Sequence, residues 1–355
     1  MAGAEATALR IVTLADENYA IPLAVMGRSL FDNLGAGRSV SLSIIDGGIA
    51  PQTRERLLAS WNLRQASVEF VPPCFGGATA LPIWGRVPAL TYARIFVPAY
   101  VSAACSKAIF LDSDVLVLED LARLWDLPSG DSHLLAVQDP AVPFVSSRDG
   151  LAQYEKLRID AQTPYFNAGL MVVNLDKWRA DDIPSAVMGF VRVHARELNY
   201  CDQDALNAVL FDKWRPLDPR WQVQPRFANN DTLPLPHLDQ ATRRALVDCP
   251  WLVHFSGRLK PWVYPADSQA DRLFFEYLDR TWWKGWRPKG GVKALLFRLY
   301  EARLRGWCYP VEQRTLSWLR NRCRRMVAVP GTAVTIAAGD GQPGRRAADR
   351  APSRR

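Results

Sequence analysis

The sequence predicts an α/β protein: a mostly parallel central sheet flanked by helices, followed by a basic, aromatic, helical C-terminal extension. Three observations lead there. Strand-like and helix-like segments alternate through the first 180 residues, the pattern of βα units wound into a parallel sheet. Polar clusters fall just beyond the apolar strand segments, where such sheets bind ligands. Charge is divided along the chain. From Lys284 on there are seventeen Lys/Arg against four Asp/Glu, a local net of +13 within an overall +8, so the preceding body carries −5.

"LRIVTLA" (9–15) is a largely apolar segment of strand length and reads as a buried strand. "YAIPLAVMGRSLFDNL" (19–34) has helical spacing and ends near Gly35. "VSLSIIDGG" (40–48) is a second strand closed by two glycines, and "PQTRERLLASW" (51–61) a helix with Pro51 near its first turn. "ASVEFVPP" (66–73) is a third strand, and "TYARIFVPAYV" (91–101) a helix despite Pro98. "KAIFLDSD" (107–114), "HLLAVQDP" (133–140) and "GLMVVNLDKW" (169–178) are the fourth, fifth and sixth strands. The polar clusters are "ADEN" after the first strand, "DGG" after the second, "DSD" after the fourth and "QD" after the fifth.

Composition narrows the class. Hydrophobic residues are 48% and charged residues 23% of the 355, enough to bury a large core. No GxGxxG closes any of these strands and no GxxxxGK[ST] occurs, so a dinucleotide fold and a P-loop are not supported. The six cysteines are scattered without a CxxC, which argues against a disulfide framework or zinc knuckle and for a reducing compartment. The first residues lack a basic start and a long apolar core, and no run reaches the roughly 18 apolar residues of a spanning helix. The expected location is cytoplasmic.

The chemistry centres on "KAIFLDSDVLVLE" (107–119). Residues i and i+2 of an extended strand point the same way, so Asp112 and Asp114 are expected to present two carboxylates to one point. Such a pair repels itself and suits a hard divalent cation. A lone D-x-D is more often a helix cap or a surface turn; the apolar flanks here argue for a rigidly held pair. "HFSGRLKPW" (254–262) offers an imidazole ligand in His254, close backbone approach at Gly257 and a point charge for phosphate in Lys260. In "YFNAGLMVVNLDKW" (165–178), Asn167 precedes a small-residue turn into a strand. "CDQDALNAVL" (201–210) opens an amphipathic helix with acids, which helix capping alone would also favour.

Six stretches in order, "IVTLADENY", "TYARIFVP", "FLDSDVLVLEDLARLWD", "YFNAGLMVVNLDKWR", "DQDALN" and "HFSGRLKPW", spanning about residues 10–263, together resemble the family 8 retaining glycosyltransferases. That family holds bacterial lipopolysaccharide galactosyl- and glucosyltransferases and glycogenin. The resemblance implies a GT-A nucleotide-sugar-binding fold, a UDP-hexose donor, and Mn²⁺ as cofactor with Mg²⁺ as the alternative. It implies Asp112, Asp114 and His254 as metal ligands, and Lys260 with the Gly257 backbone at the phosphates. Asp16 and Asn18 would hold the nucleoside. Arg94, Asn167, Asp202 and Gln203 would grip the donor sugar, and Asp139 would lie near the sugar and the incoming acceptor.

The outcome implied is retention, giving an α-linked product. The catalytic candidates are Gln203, Asp202 and Asp139. Gln203 matches the family residue on the sugar's far face, yet an amide is a poor nucleophile; Asp202 is the nearest carboxylate. A same-face route, with the leaving phosphate helping to deprotonate the acceptor, needs neither and is favoured. The sequence departs from the family at Leu14, where a smaller residue is frequent. Residues 75–90, Gly- and Pro-rich, are a candidate lid or acceptor loop, and the loop 141–164 a second acceptor wall.

The domains expected are a catalytic domain over 1–265, a basic, aromatic helical extension over 266–330 and a disordered tail over 331–355. Trp282, Trp283 and Trp286 and the basic amphipathic segments 291–307 and 311–326 suit an anionic membrane surface. With the resemblance, this implies a peripheral place at the inner face of the cell membrane and a glycan or glycolipid acceptor such as lipopolysaccharide core. No nucleic-acid partner is expected, because no recognition motif accompanies the charge. Two other functions remain open: a catalytically silent nucleotide-sugar-binding protein, which turnover would exclude, and a nucleotidyltransferase, which would need a Gly-rich basic loop near the first strand.

Overall fold

The structure, a computed structural model, describes residues 8–77, 81, 89–225, 237–257, 260–264 and 268–290. Among these the strands are β1 (Leu9–Ala15), β2 (Val40–Asp46), β3 (Ala66–Val71), β4 (Lys107–Asp112), β5 (Val115–Val117), β6 (Leu134–Gln138), β7 (Phe166–Asn174), β8 (Trp214–Pro216) and β9 (Leu252–His254). The α-helices are α1 (Ala20–Asp32), α2 (Pro51–Ala59), α3 (Ala122–Trp125), α4 (Leu175–Ala180), α5 (Ile183–His194), α6 (Asp202–Leu210), α7 (Gln240–Asp248) and α8 (Gln269–Leu278).

Seven strands form one sheet in the order β3-β2-β1-β4-β7-β6-β8. Only β7 runs against its neighbours; the other contacts are parallel. This is the mostly parallel sheet the alternation predicts. β1 winds outward through β2 to β3, and β4 then returns to pair on the other side of β1. The chain therefore reverses its winding direction between β1 and β4, and a crevice opens at their carboxyl ends.

Helices cover both faces. On one, Leu23, Met26 and Leu30 of α1 pack with Leu9 and Ile11 of β1 and Leu57 of α2. On the other, Val12 and Leu14 pack with Tyr92 and Ile95, and with Val187 of α5 and Leu206 of α6. A parallel strand buried on both faces is apolar on both, which is why "LRIVTLA" shows no strict apolar–polar alternation.

Three elements differ from expectation. The segment around 91–101 is a 3-10 helix over Ala89–Tyr100, off helical geometry at Phe96. Pro98 has no N–H to give and crowds the turn before it. The strand expected over 107–114 stops at Asp112, and Ser113 and Asp114 form a turn into β5. The strand expected over 169–178 starts earlier, at Phe166, and ends at Asn174, whose side chain accepts from the Lys177 N–H and caps α4. Asn167 consequently lies within β7 rather than ahead of a turn.

Beyond Ser268, α8 docks on α1. Phe274, Phe275 and Leu278 join Val25, Leu116, Phe255 and Trp262 in one cluster. Asn33 Nδ2 donates to the Tyr277 hydroxyl at 2.9 Å, and the Trp282 N–H to Ser60 Oγ at 3.0 Å. Trp282 is exposed, whereas Trp283 and Trp286 pack partly against this cluster. The segments 291–307 and 311–326 and the tail 331–355 lie outside the described residues, as does most of 78–88. Cys74, Cys105, Cys201 and Cys249 are free thiols. No helix among the described residues is long and apolar enough to cross a membrane.

Candidate active site

β4 delivers Asp112 to the crevice between β1 and β7. The turn that follows carries Asp114, nearly buried at 7% exposure. β9 pairs antiparallel with β5 so that His254 faces Val115, and the Phe255 N–H donates to the Asp114 carbonyl at 3.0 Å. That register brings residues 140 positions apart in the chain to the same point. His254 Nε2 lies 3.2 Å from Asp114 Oδ1 and 3.6 Å from Asp112 Oδ2. One ligand atom from each of the three residues falls within 4.8 Å of the others. The convergence comes from a strand end plus a turn, not from the i, i+2 alternation of one strand.

Gly169 of β7 makes room for this cluster. A Cβ there would sit 2.8 Å from Asp112 Oδ2 and closer still to the His254 ring. Two carboxylates and an imidazole, with backbone drawn in close behind them, fit a hard or borderline divalent cation.

Two cations, Lys260 half-buried and Arg94 buried, offset the negative charge. Lys260 Nζ pairs with Asp114 Oδ2 and donates to the Phe255 carbonyl at 2.6 Å. Burial works against the charged form of Asp114, but Lys260 and His254 overcome it and hold the carboxyl well below its usual range. Arg94 is the second cation. Its Nε meets Asp202 Oδ2 at 2.8 Å, its Nη2 meets Asp112 Oδ1 at 3.1 Å, and its Nη1 donates to the Ala168 carbonyl at 3.0 Å. The guanidinium also stacks over Phe110, 5.0 Å from the ring centre. Burial pushes the Asp202 carboxyl up, against the pull of Arg94.

A second network adjoins the first. Asp139 Oδ2 accepts from Asn167 Nδ2 at 2.7 Å and Gln203 Nε2 at 3.2 Å, while Oδ1 accepts from the N–H groups of Ala141 and Val142. Gln203 Oε1 accepts from the Ala168 N–H at 3.0 Å. A cavity of about 190 Å³ lies alongside, with Gln138, Pro140, Gln222, Gln224 and His237 in its wall. Asp16 caps a short 3-10 turn beyond β1, accepting from the N–H groups of Asn18 and Tyr19; among the described residues neither Asp16 nor Asn18 hydrogen-bonds to the two networks. Gly257 sits at φ 92° in the loop between His254 and Lys260, a conformation that favours glycine.

Three residues of the site carry no marker in the sequence reading. Gly169 is one. Tyr19 is another, its ring 5.9 Å from that of Trp262 and 6.0 Å from Lys260 Nζ. The third is Gln222, whose Nε2 donates to Asn167 Oδ1 and lies 2.9 Å from His254 Nδ1. Its only signal is a buried amide in the apolar context of "RWQVQ".

Below the site, Asp204 accepts from the Tyr165 hydroxyl and from the N–H groups of Asn199 and Tyr200. Burial outweighs these donors and pushes its carboxyl up to about 7 from 3.8. The folded chain thus holds a proton there that the unfolded chain releases, so this contribution is full below about pH 4 and lost as pH rises through about 7. Asp204→Asn keeps an oxygen for the two N–H groups and an amide for Tyr165. It should flatten the fall in denaturant-measured stability between those limits, a slope of at most about 1.4 kcal/mol per pH unit. An unchanged slope would remove Asp204 as its source.

Residues 10–266 match the sequence model of the family described as Glycosyl transferase family 8. The chain is 32% identical over 281 residues to General stress protein A of Bacillus subtilis, covering 78% of this chain and 94% of that one. Its fold is similar to the crystal structure of the galactosyltransferase LgtC in complex with donor and acceptor sugar analogs, with TM-score 0.64 and 28% identity over 77% of this chain and 96% of that one. The bifunctional glycosyltransferase WbbM shares the fold, with TM-score 0.65 and 24% identity over 78% of this chain and 50% of that one.

Proposed function

The chain belongs to glycosyl transferase family 8 and is a glycosyltransferase; from that premise we propose that it moves galactose or glucose from a UDP-sugar to a glycan or glycolipid acceptor, with metal dependence and retention. The observation that carries the reading is the meeting of Asp112, Asp114 and His254 at the carboxyl end of β4, beside the winding reversal. Support for the sugar substrates comes from LgtC, whose structure holds donor and acceptor sugar analogs.

A divalent cation held by Asp112, Asp114 and His254, Mn²⁺ being the proposed ion and Mg²⁺ the alternative, would supply Lewis acidity toward the departing diphosphate. The other tasks fall to the chain's own residues. Lys260, already drawn into the site by Asp114, is proposed to neutralise phosphate charge, with the Gly257 backbone beside it. Asp16 and Asn18 would receive the nucleoside at the β1 end of the crevice. Arg94, Asn167, Asp202 and Gln203 would bind the sugar, and the acceptor would enter on the Asp139 side, where the cavity lies.

Retention by a same-face route is favoured by the bonding of the two alternative nucleophiles. Both ends of the Gln203 amide are engaged, by Ala168 and Asp139. Asp202 is paired with Arg94. The Arg94 pairing lowers the nucleophilicity of Asp202, and the Gln203 amide is a poor nucleophile in any case. Association with an anionic membrane surface is proposed for the basic C-terminal region, starting from the exposed Trp282.

The test is transfer from UDP-galactose and UDP-glucose to a panel of galactoside and glucoside acceptors, with the anomeric proton coupling of the product read by NMR. An α-linked product is expected. A β-linked product would contradict retention, and no transfer or donor hydrolysis with either sugar would contradict the donor assignment.

A further inference from the structure

We propose that Gln222 is the positioning residue of the cation seat: it anchors the His254 ring through Nδ1 and ties that ring to Asn167 of the sugar network. The proposal rests on Asp112, Asp114 and His254 taking a divalent cation.

The His254 ring offers two nitrogens. Nε2 faces Asp114 and Asp112, which leaves Nδ1 to hold the ring's orientation. An imidazole that ligates a metal usually has its second nitrogen anchored by a neighbouring polar group, and that anchor fixes both ring angle and tautomer. Among the described residues the group at Nδ1 is Gln222 Nε2, at 2.9 Å. Gln222 is 2% exposed. It closes the short 3-10 turn Pro219–Gln222. The backbone beyond it is zipped to β9: the Val223 N–H donates to the Leu252 carbonyl at 2.9 Å and the His254 N–H to the Val223 carbonyl at 2.8 Å. The two side chains are therefore carried on directly bonded backbone, so the contact is built in rather than incidental.

The same amide reaches the second network. Gln222 Nε2 donates to Asn167 Oδ1, which also accepts from the Gly169 N–H, and Asn167 Nδ2 donates to Asp139. One side chain thus links the ring of a candidate metal ligand to the residues proposed for sugar and acceptor.

Gln222 Oε1, by contrast, is buried with no hydrogen-bond partner. A buried acceptor left alone is disfavoured. Turning the amide through half a rotation places Oε1 at Nδ1 and gives up the N–H bond to Asn167 Oδ1. A ring that ligates through Nε2 carries its proton on Nδ1 and needs an acceptor there. In the structure as it stands, the Gln222 N–H faces Nδ1. The orphaned oxygen is thus the atom a metal-loaded His254 would use, and the amide bonds Asn167 in one orientation and accepts from a protonated Nδ1 in the other.

The test uses the full chain, with Mn²⁺ as the probe, bound ion being counted by the loss of the free-ion EPR signal. Gln222→Met keeps the volume and removes both polar atoms; it should weaken Mn²⁺ binding by about 10–100-fold. Gln222→Glu offers a permanent acceptor and should bind within a few-fold of wild type or tighter. The ¹⁵N resonances of His254 in the Mg²⁺-loaded protein should report a proton on Nδ1 in wild type and in Gln222→Glu. Equal Mn²⁺ affinity for wild type and Gln222→Met overturns the proposal, as does a Gln222→Glu protein as weak as Gln222→Met. Should Gln222→Met melt before it can be titrated, the Glu variant and the ¹⁵N assignment decide alone. Wild type that binds no Mn²⁺ removes the cation reading beneath the proposal, a result distinct from loss in the variants only.

Discussion

Asp114→Asn is expected to lower sugar transfer and donor hydrolysis by about three orders of magnitude, the several kcal/mol that a Lewis acid supplies to a departing oxyanion. Asparagine keeps the shape and one oxygen but loses the charge. Asp114 is the residue where the site's interactions meet: it faces His254 Nε2 at 3.2 Å and takes the Lys260 ammonium on its other oxygen. Its carboxyl is held ionised despite burial, so it enters the reaction as an anion. Removing that anion weakens the cation seat and frees Lys260 from its position. In the proposed reaction both effects would bear on the leaving diphosphate, so the fall should appear chiefly in kcat, with Mn²⁺ affinity reduced in parallel. A variant retaining more than about a tenth of wild-type turnover would show that Asp114 does not hold the cation; that residual loss is about 1.4 kcal/mol.

Arg94→Leu is expected to cost about 3–5 kcal/mol of stability, as breaking a buried ion pair does when the partner charge is left behind. The guanidinium is buried and spans Asp112 and Asp202. Leucine would leave two carboxylates facing each other within a wall that contains Phe110 and the Ala168 carbonyl. Lysine does not rescue it, since a single ammonium cannot reproduce three bonds made from separate nitrogens. Adding Asp202→Asn to Arg94→Leu should recover part of the loss, because one of the stranded charges is then gone. Urea denaturation reads both numbers. A loss below about 1 kcal/mol for Arg94→Leu, or no recovery in the double variant, would mean that Arg94 does not balance these carboxylates.

How much of this was legible in the sequence depends on whether the information was local. β1 and β2 are largely apolar segments closed by polar residues, β3 is an alternating segment closed by Pro72 and Pro73, and each lies where the sequence places it. The apolar flanks of Asp112 and Asp114 mark that pair, whereas His254 is bland alone and is singled out through the family resemblance of "HFSGRLKPW". What the sequence could not show is how they meet. Asp114 sits in a turn, and it reaches His254 only through the β5–β9 pairing, a long-range register that no local pattern encodes. Gly169 is silent in the sequence for a related reason. Its role is the Cβ it lacks, against a histidine 85 positions away. Gln222 looked like an ordinary polar residue, and only burial beside His254 gives it meaning. Pro98 and Asn174 shifted two element boundaries by local rules, a missing N–H and a helix cap. The three tryptophans at 282–286 read alike in sequence, yet two pack on α8 and only Trp282 faces solvent.

The most direct test of a metal-dependent UDP-sugar transferase is UDP release by the wild-type chain from UDP-galactose and UDP-glucose, followed with Mn²⁺ present, after EDTA, and after Mn²⁺ is restored. The arrangement of Asp112, Asp114 and His254 predicts release from at least one donor, loss on chelation and full recovery on adding the ion back. Release that continues at the same rate in EDTA would contradict the role given to these three residues, and no release from either donor under any condition would contradict the UDP-hexose assignment itself.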